Sequence, residues 1–176
     1  MTCRGRPCAC PDQGEHKVHP YSLHILPIHV NMKLVIQRVQ SSSVQVEGRE
    51  IARIGRGLMV LFGAENNDAE PAVKYLADKT LNLRIFPDGQ GKMNFSCKDM
   101  GGEILVVSQF TLAGDCSAGR RPGFDRAAPP TLAEALYKKY IEELKASGLR
   151  VACGEFGADM LVDIQNNGPV TFILER

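Results

Sequence analysis

The chain has 176 residues, of which 44% are hydrophobic and 23% charged, with a formal net charge of +1. That length suits one domain with a sizeable core, and no apolar run approaches the roughly 20 residues that cross a bilayer, so a soluble protein is expected. Of 21 Lys+Arg, Arg4, Arg6 and Lys17 precede Met32, leaving 18; of 20 Asp+Glu, Asp12 and Glu15 do, also leaving 18. So neutral a body is not one that coats long stretches of nucleic acid, although it can grip a short end.

Residues 1–31 differ in character from the rest. They hold all four histidines (His16, His19, His24, His29) and three of the six cysteines (Cys3, Cys8, Cys10). "YSLHILPIHV" is too interrupted for a secretory signal. The stretch is neither Ser-rich nor strongly basic, which weakens a transit-peptide reading, and C-x4-C-x-C with scattered histidines matches no standard zinc spacing. The two readings kept are a disordered extension and a start codon placed too early, with Met32 as the working initiator. The body, 32–176, is read as one domain.

Because that body lacks histidine, Ser-His and Cys-His nucleophile schemes and His-based zinc sites are removed from it. Its three cysteines, Cys97, Cys116 and Cys153, form no CxxC pair and read as reduced thiols in a cytosolic compartment.

"KLVIQRVQ" and "SSVQVEGREIARIG" alternate as strands, with Glu47-Gly48 marking a turn. "GLMVLFGA" is a nearly continuous apolar run, hence a strand buried on both faces. Asp68 is placed to cap a helix running to about Leu83, with Pro71 in its first turn and Val73, Leu76, Ala77, Thr80 and Leu81 as the inward stripe. Asp88-Gly89 lies in a loop before "KMNFS", and "EILVVSQFTLA" reads as another buried strand. Gly114–Pro130 is a loop rich in glycine, proline and arginine. "TLAE" at 131–134 is a capping box, opening a helix with Leu136, Tyr140, Ile141 and Leu144 on one face and a stop at Gly148. Strands at about 149–155 and 159–166 precede Asn167-Gly168, a hairpin signal, and a last strand to Leu174. Pro169 fixes φ and removes a backbone donor where that strand should begin pairing. The pattern predicts an α+β class, a strand-rich single domain whose sheet, or partial barrel, is covered by two helices.

Three stretches can carry chemistry. In "SQFTL", 108–112, polar side chains appear at the end of an apolar strand; period 2 puts Ser108 and Phe110 on one face, Gln109 and Thr111 on the other. This is either a strand emerging into solvent or a strand end whose N–H groups stabilise an oxyanion. Thr111 is a nucleophile only if Lys92, Asp115 or a substrate group takes its proton. In "GRRPGFDR", 119–126, Arg120, Arg121 and Arg126 form either a solvated loop or a phosphate grip. Gly168-Pro169 is either an ordinary turn or a placed backbone feature.

Taken together, "SQFTL" at 108–112, "GEFGADM" at 154–160 and "NNGPVT" at 166–171, with "RRP" between, resemble the D-aminoacyl-tRNA deacylase family, in its canonical D-Tyr-tRNA branch. "MKLVIQRVQSSSV" and "KMNFS" add to the resemblance, which spans 32–176. It implies hydrolysis of the ester of D-aminoacyl-tRNA, and of glycyl-tRNA mischarged on tRNA-Ala, by a homodimer with active sites at its interface. A cis Gly168-Pro169 from one subunit would enter the other's pocket and reject L-residues by clash with rigid backbone. The resemblance further implies that Arg38 holds that segment and that Phe110, Phe156 and Met160 enclose the terminal adenosine, although Phe156 and Met160 also suit plain core packing. Catalysis would be RNA-assisted, with N–H groups at Phe110 and Thr111 holding the oxyanion and the ribose 2′-hydroxyl aiding water; Thr111 as nucleophile is the competing scheme. Ser108 and Gln109 complete the expected catalytic motif. Arg120 and Arg121 are the expected tRNA contacts. No metal or organic cofactor is called for, and the expected setting is cytoplasmic, away from membrane and DNA. The contrasting reading is a non-catalytic module that binds a nucleotide or RNA 3′ end on the same fold.

Overall fold

A computed structural model describes residues 32–176. The readings made for residues 1–31 lie outside the described residues.

Strand β1 (Lys33–Val46) organises the fold. A two-residue turn at Glu47-Gly48, both at positive φ (49° and 74°), matches the hairpin geometry anticipated there and returns the chain as β2 (Arg49–Ile54). Strand β3 (Gly57–Gly63) then pairs antiparallel with the first half of β1. Two helices, α1 (Glu70–Asn82) and α2 (Pro130–Lys145), cover one face. Between them lie a small two-stranded sheet of β4 (Phe86–Pro87) and β5 (Met93–Phe95), and β6 (Glu103–Ser108), which runs parallel to β3. β7 (Val151–Cys153) joins β6 in parallel, and β8 (Met160–Glu175) pairs antiparallel with β1 along nearly its whole length. The order β2-β1-β3-β6-β7, with β8 also on β1, is the strand-rich α+β architecture anticipated, bent like a barrel.

The bend has a local cause. The first half of β1 is flanked by β3 and the end of β8, and the second half by β2 and the start of β8. The register slips opposite Gln40, where Val39 faces Asn166 and Ser41 faces Gln165. An extra residue of this kind kinks a strand and increases its twist.

Alternation along each strand separates two cores. Leu34, Ile36, Leu58, Val60, Phe62, Ile104 and Val106 pack under the helices. Val39, Val44, Met59, Leu105 and Val107 pack on the opposite face with Ile54. β3 and β6 are thus buried on both faces, as their unbroken apolar runs indicate, and each such side chain contributes roughly 1.5–3 kcal/mol. The helices meet through Tyr140, fully buried, whose hydroxyl lies 2.6 Å from Thr80 Oγ1.

Four expectations are corrected. Asp68 does not cap α1, whose N-cap is Ala69 with no side-chain bond; its buried carboxylate accepts from the amides of Met32 (2.8 Å) and Glu65 (2.6 Å). Thr131 caps nothing, because Pro129 is the N-cap and Pro130 opens α2; proline's fixed φ starts the helix one residue earlier. "SQFTL" is not all strand: β6 stops at Ser108 and Phe110–Ala113 form a 3-10 turn. Nor does Asn167-Gly168 make a hairpin, because 160–166 and 171–175 pair in the same direction with β1. The residues between them bulge opposite Arg38, and β8 is one long strand interrupted by that bulge.

Candidate active site

The parallel β3–β6 ladder ends with the Gln109 amide donating to the Phe62 carbonyl at 2.7 Å. The chain then tightens: Leu112 N donates to Gln109 O (3.2 Å) and Gly114 N to Thr111 O (3.0 Å). The turn packs closely on β3 because Gly63 has no side chain; a Cβ there would lie 2.8 Å from Leu112 Cβ. A helical first turn leaves its N–H groups without intrahelical acceptors, and among the described residues the Phe110 and Thr111 amides have none elsewhere. The Thr111 hydroxyl bonds only to Gln109 Nε2 (2.5 Å) among those residues. An amide cannot take up a proton, and neither Lys92 nor Asp115 is bonded to this hydroxyl.

Beside this turn lies a cavity of about 700 Å³. Ser108, Gln109 and Phe110 form one wall, Phe156 through Met160 a second, and Phe124 with Ala127–Pro130 a third. Phe110, 58% exposed, stands 5.1 Å from the Phe124 ring. Phe156 leans on Tyr137 at 5.8 Å. The Tyr137 hydroxyl donates to the carbonyls of Val106 (2.9 Å) and Gly154 (3.3 Å), fixing the second wall to β6; burial pushes its pKa up, so it stays a neutral donor. Phe156 and Met160 pack against the two cores and also line the cavity.

Gly168 and Pro169 are exposed, joined by a cis peptide, and absent from this cavity's lining. Arg38 holds the neighbouring residue: its Nε donates to Asn167 O (3.1 Å), Nη2 to Asn167 Oδ1 (3.3 Å) and Nη1 to Ile85 O (2.5 Å). Burial and the nearby Arg56 guanidinium lower the Arg38 pKa. Asn166 Oδ1 accepts from Val170 N across the bulge at 2.9 Å. Arg120 and Arg121 lie exposed at the tip of a loop closed by paired Asp115 and Gly123 amides (2.8 Å each way). Arg126 differs, ion-pairing with Glu65.

The structure therefore brings Ser108, Gln109, Phe110, Phe156 and Met160 around one cavity, with Thr111 just behind. It leaves Gly168, Pro169, Arg38, Arg120 and Arg121 elsewhere on the same chain. Phe124 and Glu65 were missed by sequence reasoning; Phe124 sat inside "GRRPGFDR", where attention went to the arginines. Among the described residues no group of three or more His, Cys, Asp or Glu is placed to hold a metal. Cys97 is no nucleophile, since burial pushes its thiol up to about 12.

A family profile described as D-Tyr-tRNA(Tyr) deacylase matches residues 35–175. A D-aminoacyl-tRNA deacylase of Pelobacter propionicus is 54% identical over 145 residues, 82% of this chain and 100% of its own. A solved structure titled c-Myc DNA Unwinding Element Binding Protein is 43% identical, with a TM-score of 0.77 over 82% of this chain and 98% of that one. Another, described as a probable eukaryotic D-amino acid tRNA deacylase, is 19% identical with a TM-score of 0.74 and shares the fold. With a profile spanning nearly the whole described chain and half of its residues shared with a full-length relative, this chain belongs to the D-Tyr-tRNA(Tyr) deacylase family.

Proposed function

We propose that the chain hydrolyses the ester of D-aminoacyl-tRNA, and of glycyl-tRNA, releasing the amino acid and free tRNA. The observation that carries this reading is the aromatic-walled cavity beside the amides of Phe110 and Thr111, which have no acceptor among the described residues. A terminal adenosine stacks between Phe110, Phe124 and Phe156, which contributes roughly 1–3 kcal/mol per stacked base. That placement sets the aminoacyl ester at the end of β6, where the two amides donate hydrogen bonds to the carbonyl oxygen as negative charge develops on it.

Water is the nucleophile. The ester is already activated, the ribose 2′-hydroxyl lies beside it to orient that water, and positioning supplies much of the acceleration. Thr111, bonded only to an amide among the described residues, lacks the base a nucleophilic hydroxyl needs. Chiral selection comes from Gly168-Pro169 of a second copy, whose backbone clashes with an L side chain and cannot relax by a rotamer change. Glycine has no side chain to reject and is admitted. Arg120 and Arg121 contact the acceptor-end phosphates. The reaction is placed in the cytoplasm, where aminoacyl-tRNA feeds translation.

The test is deacylation of matched D-tyrosyl-tRNA and L-tyrosyl-tRNA by the full chain. Rapid loss of the D-ester alone is expected, with Thr111→Ala retaining turnover and a 2′-deoxyadenosine terminus losing it. A binding module of the kind suggested by the DNA-binding title of one solved relative would protect both esters, and that result would overturn the proposal.

A further inference from the structure

We propose that Glu65, which takes no part in the chemistry above, is a positioning residue that locks two walls of the cavity through separate cations. The inference rests on the deacylase reading of that cavity.

Glu65 lies two residues beyond the end of β3 and its side chain is only 9% exposed. Its Oε1 lies 3.1 Å from Lys33 Nζ and 3.4 Å from Arg126 Nη2. The two cations lead in different directions. Lys33, at the start of β1, places its ammonium 3.5 Å from the Leu112 carbonyl, inside the 3-10 turn whose first amides hold the oxyanion. Arg126 belongs to the segment that supplies Phe124 and Ala127 to the third wall. That segment is also hydrogen-bonded to the turn after β3: Asn66 N donates to Arg126 O (3.0 Å), Asn66 Nδ2 to Asp125 O (2.7 Å) and Ala128 N to Ala64 O (3.0 Å).

Asp68 completes the junction by accepting the Glu65 amide. Backbone bonds alone could tether the wall, yet a carboxylate is buried here, and burying a charge is costly unless it is paired. One acceptor serving two cations ties the oxyanion turn and the adenosine wall to a common origin, so neither shifts against the other.

The two arms have different kinetic signatures. Displacing oxyanion donors weakens the transition state, whereas loosening the adenosine wall weakens substrate and transition state alike. Lys33→Met is expected to lower kcat roughly ten- to a hundredfold with KM held within about twofold. Arg126→Met should raise KM about fivefold, the scale of a half-exposed ion pair, with kcat nearly unchanged. Glu65→Gln, which keeps shape and an acceptor oxygen, should show both effects.

Wild-type kinetics in the three variants, or equal losses in kcat and KM that track thermal stability, would overturn the proposal. Amide hydrogen exchange of residues 123–128 provides a readout independent of activity. It should accelerate in Glu65→Gln while β1 and β3 stay protected, and unchanged exchange would sink the clamp. Absence of wild-type deacylation, with the exchange effect present, would instead refute the deacylase reading and leave the clamp standing.

Discussion

A side chain at position 168 has nowhere to go. Gly168 has φ +134°, and a Cβ there would lie 2.6 Å from Val170 Cγ2 and 2.9 Å from Arg38 Nη2. The first contact is with a buried valine that belongs to the core, and the second with a guanidinium already committed to Asn167 and Ile85. Neither can retreat without losing its own interactions. Gly168→Ala is therefore expected to cost about 1–3 kcal/mol in urea denaturation, to move the bulge, and to let the L-ester be cleaved alongside the D-ester. Unaltered stability with the L-ester still spared would mean that the bulge tolerates a side chain and defines no filter. "NNGP" did announce an unusual backbone at this place, since Asn-Gly and Pro make conflicting demands on a hairpin. What it could not announce was the resolution, because whether residues 160–166 and 171–175 pair with each other or both with β1 depends on a strand more than a hundred residues away.

At the scale of elements, the period-3.6 stripe of α1 was legible, and Val73, Leu76, Ala77 and Thr80 are the residues buried. So were the two-sided strands β3 and β6. The change from strand to 3-10 turn after Ser108 was not, because it depends on where the Phe62 carbonyl ends the ladder, a fact of pairing and not of composition. A second local motif went unread in "SCKD". Asp99 Oδ2 accepts from Ser96 N (2.9 Å) and Ser96 Oγ (2.7 Å), while Asp99 N donates back to Ser96 Oγ (3.1 Å). This is the reciprocal arrangement of a capping box closing the turn after β5. The Ser96 amide and hydroxyl, with Arg84 and Lys98 nearby, lower the Asp99 pKa. A carboxyl whose folded pKa is depressed gives stability that is present above its unfolded value near 3.9 and lost as pH falls through the folded value. Asp99→Asn should thus be less stable than wild type at pH 7, and the gap should close in acid, as followed by urea denaturation across pH 2–7. A gap that persists undiminished at low pH would assign the effect to shape and not to the charge.

For the whole molecule, the proposed reaction needs both the cavity and the bulge, yet on one chain Gly168 and Pro169 do not line the cavity. β8 offers a reason. It is a 16-residue strand at the edge of the sheet, paired among the described residues only with β1 and carrying Leu161 (68% exposed) and Ile173 (64% exposed). Long apolar edges are normally covered, and a second copy related by a two-fold axis would cover both edges while carrying each bulge towards the other's cavity. The protein is expected to run at twice its 19.3 kDa in light scattering. Complementation tests the stronger claim that each site is shared. Phe110→Ala removes an aromatic wall and is expected to be inactive, whereas Gly168→Ala removes the filter and is expected to cleave both esters. When equal amounts are unfolded and refolded together, half of the dimers are mixed, and each mixed dimer has one site in which both elements are intact. D-ester hydrolysis should then come equally from these intact sites and from the pure Gly168→Ala dimers, which alone cleave the L-ester, so the L-to-D ratio should fall to about half that of Gly168→Ala by this two-fold counting. If wall and filter act within one chain, every active site lacks the filter and the ratio stays that of Gly168→Ala.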